Sequence, residues 1–326
     1  MAANPQRLIE TPADGVDTLS AVLRAVRLSG SLQFCVAAST AWETDDKPRI
    51  GRTTTGAVVP FHVLVSGSAW VRIGDTTTPL AAGDVVAFPF GTGHAIGTGE
   101  GGQLVAPSEE IPPGPVGRVP IVRYGDGPLR SRLLCGYLRC EAVEFPPLAA
   151  ALPAMLRFSS GYPLGDGWAA VTVRQMVAEA DRPSPGGLSL LERLSETLFI
   201  HLLRQSMAEL AGSGGWFGAL ADPPLARCLA AIHADPDRDW TVAELAGIAG
   251  LSRSTLTNRF AAVLATTPRR YVADWRLFRA REVLRTTSRK IAAIAYEAGY
   301  SSEAAFNRAF ARAFGVPPAR WRSDLG

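Results

Sequence analysis

Residues 298–322 read AGYSSEAAFNRAFARAFGVPPARWR. Phe306, Phe310 and Phe314 recur every fourth residue, and Glu303, Asn307, Arg308 and Arg312 fall between them. At about 3.6 residues per turn, this spacing predicts a helix that buries an aromatic stripe and turns Asn and Arg outward. Gly299 stands just ahead of it, where a preceding helix would end with positive φ. Ser301 or Ser302 is placed to cap the amide groups at the start of the new helix. Helix, glycine turn and capped amphipathic helix together make the helix-turn-helix pattern.

The same device occurs once more upstream. TVAELAGIAGLSRSTLTNRFAAVLATTPRRYV, from residue 241, aligns with KIAAIAYEAGYSSEAAFNRAFARAFGVPPARWR, from residue 290. Val242, Leu245, Ala246 and Ala249 match Ile291, Ile294, Ala295 and Ala298, and Gly250 matches Gly299. With one extra residue in the second turn, Leu256, Phe260 and Leu264 match Phe306, Phe310 and Phe314, and Pro268 and Tyr271 match Pro318 and Trp321. A helical bundle with ordinary solvated charges has no reason to repeat these offsets.

The outward faces then suit DNA. In the first copy that face is Arg253, Ser254, Thr257 and Asn258; in the second it is Glu303, Ala304, Asn307 and Arg308. Asn can pair with adenine N6/N7 and Arg with guanine O6/N7, so both faces are expected to read bases in a major groove. Arg269, Arg270, Arg289 and Lys290 lie near element ends and, with Arg312, suit phosphate contacts. The intervening residues 269–285 would form a helix about 25 Å long. Such a spacer can set two reading helices about one DNA turn, ~34 Å, apart.

The rest of the chain bounds this reading. At 326 residues, two domains are expected, and a hydrophobic fraction of 47% with 19% charged residues describes a globular protein. The net charge is only +3, but residues 222–326 carry +6 and the remainder −3, which points to a polyanion partner for the C-terminal third. Arginine preference is general here, since only Lys47 and Lys290 are lysines. No apolar run approaches the ~18 residues of a membrane span; LAAALPAML is broken by Pro153. The opening MAANPQRLIE lacks an apolar export segment. Cys35, Cys135, Cys140 and Cys228 are too few to staple the fold, so a reducing cytoplasm is expected, with no membrane contact.

To about residue 155, short apolar runs (VVPFHVLV, SAWVRIG, VVAFPF) alternate with Gly-rich turns, as in an antiparallel barrel or jelly roll. From residue 168 the pattern becomes helical. Leu188, Leu191, Leu194, Leu198 and Leu202 form a stripe that fits either packing on its own domain or a homodimer seam. AGSGG at 211–215 reads as a hinge. The expected organisation is α+β in two domains: a barrel with helices over 1–212, a linker over 213–222, and an all-α domain over 223–326 with two helix-turn-helix units bridged by a helix.

The C-terminal third resembles the DNA-binding domain of AraC/XylS-type bacterial transcriptional regulators. AELAGIAGLSRSTLTNRF, WRLFRAREVL, IAAIAYEAGYSSEAAFNRAFARAFG and VPPARWR carry the likeness. It implies promoter binding and usually activation through contacts with RNA polymerase. Lys290 stands where a small capping residue is more usual. The N-terminal part is similar to the cupin-like sensor domains of such regulators, through DTLSAVLRAVRLSG, FHVLVSGSAWVRIG, LAAGDVVAFPFGTGHAI and LLCGYLRCE. Gly83, Pro89, Gly91 and His94 keep the spacing G-x5-P-x-G-x2-H of the second cupin motif, whereas the H-x-H partner of His62 falls on Leu64.

A catalytic cupin metal site needs three or four His/Glu ligands, and only His62 and His94 survive here, so no metal or other cofactor is expected. His201 and His233 lie in the helical part. His62, His94, Cys35 and Cys135 are the candidate effector-pocket residues. A thiol switch is the other signal these residues allow, although Cys135 and Cys140 would face opposite sides of a strand unless a turn at Gly136 intervened. The expected function is a sequence-specific DNA-binding activator controlled by a small-molecule or redox signal, with double-stranded DNA, RNA polymerase and an unidentified effector as partners. The alternative is a cupin-type metalloenzyme carrying a helical interaction tail.

Overall fold

The computed structural model describes residues 17–24, 28–44, 58–105 and 118–323. The MAANPQRLIE segment lies outside them. Helix α1 (Thr18–Arg24) precedes strands β1 (Leu28–Ala38), β2 (Trp42–Glu43), β3 (Val58–Ile73), β4 (Thr76–Ala81), β5 (Asp84–Ala87), β6 (Ala95–Thr98), β7 (Gln103–Leu104), β8 (Ile121–Tyr124) and β9 (Ser131–Cys140). A 3-10 turn (Glu141–Glu144) and α2 (Pro146–Ala151) then lead to β10 (Leu156–Ser159).

β3 is the spine of the sheet. Its first half pairs with β5 and β9, and its second half with β4 and β6. The order β7-β2-β6-β3-β9-β1-β8 curls on itself. Alternation along the strands separates two cores. Val36, Trp42, Leu64, Phe88, Ile96, Leu133 and Cys135 fill the inside of the curl. Cys35, Phe61, Val63, Val85 and Leu134 face the other way, toward the helices.

Helices α3 (Trp168–Asp181) and α4 (Gly187–Leu210) cover that outer face. Leu191, Leu198 and Leu202 are buried against this chain's own sheet, Leu194 is half-buried, and Leu188 is exposed. Most of the leucine stripe is therefore committed to core packing, which removes the sequence ground for a dimer seam. α4 approaches β1 so closely that a Cβ on Gly30 would sit 2.7 Å from the Glu192 carbonyl oxygen.

The AGSGG stretch does not open into a linker. Ala211–Ser213 forms a 3-10 turn, and α5 (Gly215–Ala221) follows at once, with Trp216 and Phe217 fully buried. Two large aromatics directly behind the glycines draw the chain back into the core, and local Gly/Ser composition cannot report that. Asp222 then caps α6 (Pro223–Ala234), accepting a hydrogen bond from the Leu225 amide.

Beyond α6 come α7 (Val242–Ala249), α8 (Arg253–Leu264), α9 (Pro268–Thr286), α10 (Ile291–Glu297), α11 (Glu303–Phe314) and α12 (Pro318–Ser323). The first repeated unit shares one continuous core with the sheet and its helices. Leu225, Leu245, Leu256, Phe260, Tyr271 and Trp275 belong to the same cluster as Phe61 and Phe199. Phe145, just past the sheet, inserts among His233, Tyr271, Trp275 and Phe278, with ring centroids 5.2–6.2 Å away. The second unit has a core of its own, built on Leu277, Leu284, Ile294, Ala295, Phe306 and Phe310.

Candidate nucleic-acid interface and barrel interior

Each repeated unit is a helix, a left-handed glycine and a second, serine-capped helix. Thr241 and Glu244 form a reciprocal capping box at the start of α7. Lys290 caps α10 with no side-chain bond, which is the local cost of that replacement. Gly250 and Gly299 adopt φ of +70° and +83°, conformations that disfavour any residue with a Cβ. Ser252 accepts a bond from the Thr255 amide and Ser302 from the Ala305 amide, fixing Ser302 rather than Ser301 as the second cap.

Behind α8, Leu256 and Phe260 are fully buried; behind α11, Phe306 and Phe310 are. The opposite faces are open. Arg253, Ser254, Asn258, Glu303, Ala304 and Arg308 are exposed, and Thr257 and Asn307 are half-buried. The Thr257 hydroxyl donates to the Arg253 carbonyl at 2.9 Å, leaving its methyl the freer group. Asn307 keeps its Oδ1 enclosed and unpaired, so it presents less of its amide than Asn258 does.

The expected phosphate contacts divide into two kinds. Arg269, Lys290 and Arg312 are exposed and make no ion pair among the described residues. Arg270 pairs with Asp274 at 2.8 Å, and Arg289 pairs with Glu297. Those two cations must leave a carboxylate before meeting a phosphate.

One pair of positioning residues escaped the sequence reading. Arg227 and Gly250 are separated by 23 positions, and so are Arg276 and Gly299. Arg227 donates to the Ile248 and Ala249 carbonyls, holding the end of α7. Arg276 lies so close under the second turn that a Cβ on Gly299 would be 2.4 Å from its guanidinium. Its hydrogen bonds, however, run to the Pro236, Asp237 and Arg238 carbonyls of the first unit. Extending the repeat backward from Gly250 and Gly299 would have found both arginines.

Inside the sheet, His62 stands directly opposite Cys135 in the β3–β9 register. His62 Nδ1 is 3.1 Å from Cys135 Sγ, and His62 Nε2 is 3.1 Å from His94 Nε2. His94 Nδ1 lies 2.7 Å from the Thr92 carbonyl, and its ring stacks on Phe88 at 3.5 Å. A carbonyl only accepts, so His94 Nδ1 carries a proton. With both rings neutral, the remaining directions are fixed: His62 Nε2–H donates to His94, and the Cys135 thiol donates to His62 Nδ1. Burial, reinforced by His94, holds the His62 imidazolium pKa well below its ordinary value, in keeping with neutral rings.

Cys35 does not join this chain. It lies on the opposite face of β1, in the outer core beside Arg132. Period-two alternation separates it from His62, whereas Cys135 shares the inner face. Strand β9 runs unbroken through Gly136, so Cys135 and Cys140 also face opposite sides. All four cysteines are buried and free, and burial pushes their thiols up, to about 11 for Cys35 and Cys228 and about 12 for Cys140. None has the exposed, electropositive setting of a reactive thiolate. Among the described residues, no group of three or more His, Cys, Asp or Glu is arranged to hold a metal ion.

Comparison with known proteins agrees with both halves. A cupin family model matches residues 17–208, and a helix-turn-helix domain model matches residues 245–324. The transcriptional regulator AlkR of Acinetobacter baylyi is 31% identical over 277 residues, covering 81% of this chain and 87% of that protein. An AraC-like transcription regulator of Streptomyces lividans is 30% identical over 320 residues, covering 94% of this chain and 98% of its own. A solved AraC-type regulator from Chromobacterium violaceum is 29% identical with a TM-score of 0.32, over 33% of this chain and 96% of that one. The chain belongs to the AraC-type helix-turn-helix transcriptional regulators, DNA-binding proteins that here carry an N-terminal cupin domain.

Proposed function

We propose that the chain reads an asymmetric operator with two unequal heads, α8 and α11, set in successive major grooves by α9. The observation that carries this is the pair of exposed polar faces, Arg253/Ser254/Thr257/Asn258 and Glu303/Ala304/Asn307/Arg308, each backed by a buried apolar stripe. Arg269, Lys290 and Arg312 supply phosphate contacts that fix register without reading sequence. Activation through RNA polymerase, in the cytoplasm, follows the family pattern.

The signal is a small molecule taken into the barrel. Besides the Cys135–His62–His94 chain, the inner face holds Trp42, whose Nε1 is buried without a partner, and Ser131, whose Oγ is likewise unpaired. Buried donors of this kind favour a ligand that brings hydrogen-bond acceptors. A thiol switch needs an accessible thiolate, and burial of all four cysteines disfavours it. Among the described residues no ligand set favours a cupin metalloenzyme with a helical tail, and the relatives named above are regulators.

The test is selection of duplexes from a random pool by the purified full chain. A bipartite consensus is expected. Arg308→Ala should weaken specific binding by about 1–3 kcal/mol and relax preference at one position. Equal loss on every sequence would reassign Arg308 to phosphate, and absence of any consensus would overturn the regulator reading.

A further inference from the structure

We propose that Arg281 is the positioning residue through which the cupin half holds the second reading unit, so that the sensor acts on α11 by way of the acids that follow β9. This rests on the assignment of α11 as a reading head. The route begins inside the barrel. Cys135 hydrogen-bonds His62, and five residues later the same strand ends and becomes the Glu141–Glu144 turn.

Arg281, on α9, is only 4% exposed. Its guanidinium pairs with Glu144 at 2.6 Å and reaches Glu141 at 3.9 Å. Arg285, one turn on, pairs with Glu141 at 3.2 Å and also with Glu282. On its other sides Arg281 lies over three rings: Phe278 of α9 at 4.6 Å, Phe314 of α11 at 5.3 Å and Trp321 of α12 at 5.5 Å. One side chain thus touches the end of the sensor sheet, the bridging helix and both closing helices of the second unit.

Internal comparison sharpens the point. The register that aligns Gly250 with Gly299 places Arg281 on Ile232, a fully buried core residue of the first unit. The fold therefore needs only an apolar group there. A buried cation is costly unless its charge is met, and here the sensor half meets it. Without the Glu144 carboxylate at 2.6 Å and the Glu141 oxygens beside it, Arg281 has reason to leave its site for water, and it would withdraw from Phe314 and Trp321 as it goes.

This arrangement makes the two heads unequal. The first shares the sensor's core; the second, with its separate core, is held to the sensor through this charge cluster. An effector that shifts β9 would change the grip on α11 while leaving α8 in place, which is a coupling between two sites through a two-position element.

Hydrogen exchange on the full-length chain tests this without any DNA. In Glu141→Gln/Glu144→Gln, exchange across residues 303–323 should accelerate about tenfold, with β3, β9 and α8 unchanged. Unchanged exchange in 303–323, or equal acceleration everywhere, would overturn the proposal. Should the double variant fail to fold, Arg281→Lys, which keeps the charge but loses the planar fork and its stacking, decides by the same two outcomes. Duplex selection by the unaltered chain runs in parallel. Failure there would sink the reading-head assignment while leaving the exchange result standing as a statement about the clasp.

Discussion

Phe260 and Phe310 occupy the same position in the two copies and are both fully buried, so truncating each to Ala is one perturbation applied in two mechanical settings. Loss of a buried Phe side chain costs about 3–5 kcal/mol, combining transfer and cavity terms. The second unit's own core is carried by residues 277–323, because the start of α9 belongs to the shared cluster; at about 0.05–0.15 kcal/mol per residue its stability is roughly 2–7 kcal/mol. Phe310 packs between Phe306 at 5.6 Å and Phe314 at 4.6 Å, and all three belong to that core. Phe310→Ala should therefore open α10 to α12 locally and leave the rest folded. Phe260 lies in the cluster that contains Phe145, Trp216 and the outer face of the sheet. Phe260→Ala should instead lower the main thermal transition, with exchange rising in the sensor half too. Calorimetry with exchange mass spectrometry distinguishes the two. If both variants show the same exchange map, the division into a shared and a separate core is wrong.

Two further outcomes follow from particular side chains. Gly299→Ala and Gly250→Ala should each cost about 1–3 kcal/mol from left-handed strain, with Gly299→Ala the worse. Its new Cβ meets Arg276, which three carbonyls of the first unit hold in place, whereas at Gly250 the nearest atom is 4.0 Å away; equal denaturation midpoints would refute this. On the pH axis two buried groups oppose one another. Burial pushes His233 down to about 3, so it contributes stability present above about pH 6.5 and lost as pH falls through that window. Glu141 is pushed up to about 7, by burial and then by Glu282, so its contribution is complete below about pH 4.5 and lost as pH rises through 7. Between those limits each group contributes a slope of about 1.4 kcal/mol per pH unit, with opposite signs. Glu141→Gln should steepen acid destabilisation and His233→Phe should reverse it; denaturant titrations at pH 5 and 6.5 that give parallel results in all three chains would refute the assignment.

The C-terminal elements were legible because every signal there is local. Helical spacing, Ser caps and left-handed glycines sit within a few residues of one another, and repetition confirmed them. In the structure α7 ends at Gly250, and α8 and α11 start directly after Ser252 and Ser302. The barrel was legible as a class, since short apolar runs and turns recur, but its site was not. Cys35 looked equivalent to Cys135 because the face a strand residue takes depends on register with β9, which no local pattern records. The 213–222 stretch failed for a related reason: Gly and Ser announce flexibility, while Trp216 and Phe217 find partners, Tyr271 among them, far along the chain. Arg281 and Glu144 are 137 positions apart, and a charge pair at that separation leaves no trace in composition or periodicity.

Trp216 carries a practical lesson for anyone wishing to excise the DNA-binding half. Its indole N–H donates to the Tyr271 hydroxyl at 3.0 Å, and that hydroxyl lies 2.8 Å from His233 Nε2. A fragment beginning at Pro223 would strip this indole from the first head and bare the aromatic socket that Phe145 fills. A soluble excised head has to start near Gly214 and carry a polar replacement on the socket wall. The second head is no simpler to transplant, since buried Arg281 would leave the Glu141 and Glu144 carboxylates behind.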